Sequence, residues 1–113
     1  MKLIKAYIRP GLLEEVYSAL RKKGHSSMTV FKGEGTGRFS DPESCHGSLD
    51  FPAMHTRIVK IEIAAEENSC DSIIRIIRDH AHTGGRGDGV IFVSPIEKAE
   101  RIRDGLKGPK ILN

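Results

Sequence analysis

Twice along this chain a helical stretch stands between segments of strand period, and that repeated alternation leaves few folds open. Lys2 to Arg9 reads as a strand with Ile4, Ala6 and Ile8 on one face, stopped by Pro10, which has no amide to give a ladder. Gly11 to Lys23 reads as a helix, with Leu13, Val16, Tyr17 and Leu20 recurring at three- and four-residue spacing. Its acids (Glu14, Glu15) come first and its bases (Arg21, Lys22, Lys23) last, ahead of Gly24, as the helix dipole and a glycine cap favour. Met28 to about Gly35 is a second strand anchored by Val30. Periodicity returns at Arg57, with Val59, Ile61 and Ile63 facing one way. A second helix, Glu66 to about His82, is carried by Ile73, Ile74, Ile77 and Ala81, and Val90 to Val93 reads as a short buried strand. The order β-α-β-loop-β-α-β predicts a ferredoxin-like α+β sandwich, an antiparallel sheet with both helices on one face.

A chain of 113 residues holds one compact domain, taken here as 1–113. With 38% apolar and 29% charged residues it has the composition of a globular protein rather than a fibrous or disordered one. No apolar run approaches the roughly 18 residues that span a bilayer, so no membrane insertion is expected. The start, MKLIKAYIRP, has no signal-peptide core, and two cysteines cannot frame a disulfide scaffold; both suggest the cytoplasm. A net charge of +3 biases the surface towards anions but is too small and scattered to predict nucleic-acid binding. Such a thin core gains from oligomerisation, and the sheet face away from the helices (Tyr7, Lys60, Glu62) is expected to be partly covered by sister subunits.

The clearest chemical signal is Thr83-Gly84-Gly85-Arg86-Gly87-Asp88-Gly89, between the second helix and the last strand. Four glycines in seven residues allow positive φ and amides turned inwards, the arrangement that cradles phosphate. The loop follows a helix, so the nearby dipole end is negative and extra cations are needed. Arg86, Arg101 and Arg103 are candidates, the last two reading as neighbours on one side of an extended segment. The same residues also fit a helix C-cap with a tight turn. A second group, Gly33 to Arg38, fits either close approach of a base or sugar to the backbone or an entrance to the following loop. That loop, about 37–56, has no sustained period and is long for a compact domain, which marks it as either functional or disordered. Within it Cys45, His46 and His55 are the candidate metal ligands, although no ligand-spacing motif is present and polar loop side chains are the plainer reading. The 96–113 segment reads as a surface tail.

Arg9-Pro10, Met28-Thr29-Val30, Gly35 with Gly37-Arg38, Lys60 to Ile63, and above all Gly87-Asp88-Gly89 followed by Ile91 to Pro95 and Arg101-Ile102-Arg103 resemble the P-II family of nitrogen-regulatory signalling proteins. The resemblance implies a non-enzymatic regulatory protein: a homotrimer with adenine-nucleotide sites (ADP, AMP or ATP) between neighbours and a 37–56 loop that docks onto a target transporter, enzyme or regulator. By matching position, Thr29, Gly35, Gly37, Arg38, Ala64, Gly87, Asp88 and Gly89 would surround the nucleotide. Arg101 and Arg103 would reach its phosphates from the adjacent subunit. Three departures stand out: Val90 and Ile58 where the family carries lysines, and Phe39 where it carries a glutamine. They imply that sensing of 2-oxoglutarate is lost, and Phe51 in place of the loop tyrosine removes uridylylation. A metal-responsive member of the family, using the loop's cysteine and histidines beside metal transport, is the alternative.

Overall fold

A computed structural model describes residues 1–37 and 56–112. Its elements are β1 (Lys2–Ile8), α1 (Leu13–Lys22), β2 (Thr29–Gly35), β3 (Thr56–Ala65), α2 (Glu67–Ala81) and β4 (Val90–Pro95). Short 3-10 turns at Pro10–Leu12 and Gly108–Leu112 complete them. The strands form one antiparallel sheet in the order β2-β3-β1-β4.

Register follows from the alternation. Ile4, Ala6 and Ile8 of β1 stand opposite Ile63, Ile61 and Val59 of β3, so a one-residue slip would turn the three apolar residues of the slipped strand out of the core. These residues, with Val16 and Leu20 from α1 and Ile73, Ile77 and Ala81 from α2, form the buried core. Pro10 seeds the 3-10 turn that opens into α1, and Gly24 at φ +85° closes it. Cys70 is buried within the core, and its thiol donates to the Glu66 carbonyl at 3.5 Å.

Three expectations need correction. β4 is an exposed edge strand rather than a buried one: Val90 is 47% and Phe92 55% exposed, because both stand on the sheet face away from the helices, opposite Tyr7 and Lys5. Val30 lies on the opposite edge strand and is likewise exposed. Residues 96–112 are not extended: Glu100 bridges Lys107 around a tight turn before the final 3-10 turn. Arg101 and Arg103 therefore do not share an extended strand. Gly105 adopts φ +72°, and the Asp104 carboxylate takes the Leu106 amide, so the chain reverses where extension was expected.

On the sheet face away from the helices, register lines up Phe31, Lys60, Tyr7 and Val90 in one row and Thr29, Glu62, Lys5 and Phe92 in the next. Lys60 pairs with Glu62 at 3.2 Å and lies 4.5 Å over the Phe31 ring, while Tyr7 meets Phe92 edge-on. Apolar rings and ion pairs thus alternate on a half-exposed surface.

Candidate functional site

The glycine turn between α2 and β4 is organised around one carboxylate. Asp88 Oδ2 accepts the backbone amides of Thr83 (2.8 Å) and Gly84 (2.9 Å). Oδ1 accepts the Thr83 hydroxyl and the Arg9 Nε at 3.1 Å. Arg9 extends the network by donating from Nη2 to the Arg86 carbonyl at 2.6 Å, and the Gly85 amide donates to the Thr83 hydroxyl. Burial alone would raise the Asp88 pKa. The Thr83 hydroxyl and amide, the Gly84 amide and Arg9 outweigh it and hold the carboxyl far below the usual aspartate range.

The turn is therefore a nest that already contains an anion, its own Asp88. Gly84, Gly87 and Gly89 all take positive φ, as that wrapping requires. Gly89 is the tightest point: a Cβ built there would stand 1.7 Å from the Tyr7 carbonyl oxygen. A cleft of about 280 Å³ opens beside the turn, walled in part by Tyr7, Ile77, Ala81, Asp88, Gly89 and Val90. Its walls combine apolar side chains and the edge of the glycine turn with the basic side chains of Arg78 and His82.

The other anticipated residues are not gathered there. Thr29 and Gly35 begin and end β2, and Gly37 follows it, at the far edge of the sheet. Ala64 is exposed on β3, opposite Leu3. Across β3 and β1 the two edges lie three strand spacings apart, about 14 Å at the usual separation. Arg101 is held by Asp104 through a two-point fork (Nε–Oδ1 2.9 Å, Nη2–Oδ2 2.6 Å). Arg103 is 78% exposed, its guanidinium 3.8 Å from the same carboxylate. Ile58 is half-buried, its side chain against the backbone of Gly33 and Gly35.

Arg38, Phe39, Cys45, His46, Phe51 and His55 lie outside the described residues. Among the described residues no three histidine, cysteine or acidic side chains come together as a metal site. His80, near the end of α2, meets Glu15 of α1 at 3.3 Å. Arg9 and Asp104 carry no site role in the sequence pattern, and Thr83 enters it only as the first residue of the glycine turn. The available signals were Thr83 and Asp88 bracketing the glycines, and the Asp104-Gly105 turn pair.

A split β-α-β sandwich with a carboxylate-centred glycine turn at one sheet edge defines the class of protein: a ferredoxin-like α+β fold. The family model described as "Nitrogen regulatory protein P-II" matches residues 1–106, and this chain belongs to that family of nitrogen-regulatory signalling proteins. It is 39% identical over 108 residues to nitrogen regulatory protein P-II of Azospirillum brasilense, covering 96% of each chain. It is 38% identical over 110 residues to P-II 2 of Methanothermobacter thermautotrophicus, covering 97% of this chain and 96% of the relative. Among solved structures, Arabidopsis thaliana PII bound to citrate superposes with a TM-score of 0.76 at 31% identity, over 96% of this chain and 86% of that one.

Proposed function

We propose that this P-II protein is a non-enzymatic regulator that binds an adenine nucleotide (ADP, AMP or ATP) between copies of itself and controls a target protein through its 37–56 loop. The observation that carries the reading is the split of its candidate residues. Thr29, Gly35 and Gly37 sit at one sheet edge and Gly87, Asp88 and Gly89 at the other, so one chain presents two half-sites facing apart. Copies joined in a ring, as in a homotrimer, bring unlike edges together. Ala64 then adds to the wall, Arg38 enters from the loop, and Arg101 and Arg103 supply cations across the seam. The exposed rings of Phe31 and Phe92 and the exposed Val90 favour such joining. A largely apolar cleft with Arg78 and His82 in its wall, beside the glycine turn, suits a ligand with a flat apolar part and an anionic part. Citrate on the Arabidopsis relative is an example of a small anion held by this fold.

Hydrolysis is disfavoured by the same geometry. A general base needs a free carboxylate near neutral pKa, whereas Asp88 is saturated by donors and Glu62 is paired with Lys60. Val90 presents no charge to a phosphate. Ile58 packs on Gly33 and Gly35, so neither site carries the ammonium that a small dianion needs to offset its desolvation. Titration calorimetry with Mg-ATP present is expected to detect no micromolar 2-oxoglutarate binding.

Thermal unfolding tests the main reading. A ligand that binds only the folded state raises its stability, by about 2.7 kcal/mol at a hundredfold excess over Kd. ADP, AMP or ATP at millimolar concentration is expected to raise Tm by several degrees. Arg103→Ala is expected to weaken binding about tenfold, the loss of one charge-assisted contact. No shift with any adenylate would sink the proposal.

A further inference from the structure

Resting on the nucleotide reading above, we infer that Asp104 is a specificity-determining residue: a resident competitor for phosphate that occupies the fork face of Arg101 and favours ligands of lower charge. The geometry is that of an arginine already bound to an anion. Two parallel N–H···O bonds at 2.9 and 2.6 Å use Nε and Nη2, the same pair of donors that would grip a phosphate in the two-point manner. Asp104 also reaches towards Arg103, 3.8 Å away. Two guanidiniums and one carboxylate leave the turn a formal single positive charge where the arginines alone would give two.

The carboxylate is fixed. Its Oδ1 also accepts the Leu106 amide at 3.1 Å, and the turn is closed by Arg101 N to Leu106 O and Gly105 N to Arg101 O, both 2.8 Å. An incoming phosphate must therefore displace Asp104 from the fork or approach Arg101 from its remaining Nη1 side with an anion close by. Either course costs more for each added ligand charge, because repulsion scales with the product of charges. AMP loses least and ATP most.

Asp104→Asn is the discriminating variant. It keeps the size and the oxygen that caps Leu106, removes the charge, and sets an NH₂ in place of the oxygen that accepts from Arg101 Nη2, so the fork is freed for the ligand. Dissociation constants for AMP, ADP, ATP and inorganic tripolyphosphate, measured by calorimetry on the full chain, are expected to fall in graded fashion. ATP and tripolyphosphate should tighten about tenfold and AMP about twofold or less. In an Arg101→Ala background the gain should vanish. A carboxylate that instead presents Arg101 to the ligand would give the opposite sign, and weaker ATP binding by Asp104→Asn overturns the inference. So does equal tightening of all four ligands, or a gain that survives Arg101→Ala. If the nucleotides fail to bind but tripolyphosphate binds and tightens in Asp104→Asn, the adenylate reading falls and the competitor role stands. If neither the nucleotides nor tripolyphosphate bind either protein, both fall.

Discussion

Gly89→Ala is expected to destabilise the protein by about 3–5 kcal/mol, the largest single effect of any change in the glycine turn. Two independent costs add at this position. Its φ of +99° is one that L side chains rarely adopt, a strain of about 1–3 kcal/mol. A Cβ there would also lie 1.7 Å from the Tyr7 carbonyl oxygen and 2.7 Å from its carbon. Both neighbours are backbone, so no rotamer change relieves the contact. β1 and the start of β4 must part, or the turn must refold. At about 4 °C per kcal/mol for a chain of this size, the melting point should fall by about 12–20 °C. Gly24→Ala is the control: its φ is +85° but nothing lies within 4 Å of the added carbon, so only the conformational cost of about 1 kcal/mol remains. Both are to be compared with wild type at one protein concentration, since an oligomer's Tm depends on it. A Gly89→Ala protein that melts within about 3 °C of wild type would show that the close approach is not what holds this turn.

The fold was largely legible because its signals are local and repeated. Isoleucine alternation in β1 and β3 and the three- and four-residue spacing in α1 and α2 each decide one face, and the two kinds of face must meet. The edge strands were harder. Val30 and the Val90 to Val93 run are apolar enough to read as core, yet each lies at a sheet edge. Burial there depends on what lies beyond the chain, which periodicity does not encode. The glycine turn was visible as a turn, but its occupant was not. Arg9 and Asp88 stand 79 positions apart in sequence, and only the pairing of β1 with β4 brings them together. For the same reason, an anion nest and a helix cap were both compatible with the sequence. The structure combines them, since amides at the end of α2 close on an aspartate from within the loop. The Arg101–Asp104 fork is local, but it needs the reversal at Gly105, which an extended 101–103 segment would not make.

Asp88→Asn should cost about 2–3 kcal/mol, the usual scale for losing charge-assisted hydrogen bonds at a partly buried site, and should change the acid limb of the stability curve. The carboxylate serves two donors on each oxygen. An amide offers one oxygen and one NH₂, so either flip leaves donor facing donor. If the amide oxygen keeps the Thr83 and Gly84 amides, Arg9 Nε meets an NH₂. If it keeps Arg9, the two amides do. The sign with pH follows from the depressed folded-state pKa. Burial raises it, the Thr83, Gly84 and Arg9 bonds lower it further, and the net is well below the unfolded value near 3.9. The stabilisation is thus complete above the unfolded pKa, from about pH 5 upwards, and is lost as pH falls below about 4 towards the folded value. Urea unfolding at pH 7 and at pH 3 should show the wild-type and Asp88→Asn curves converging as pH falls. Stabilities that stay equally far apart at both pH values would mean that the ionised carboxylate is not the feature that holds the turn.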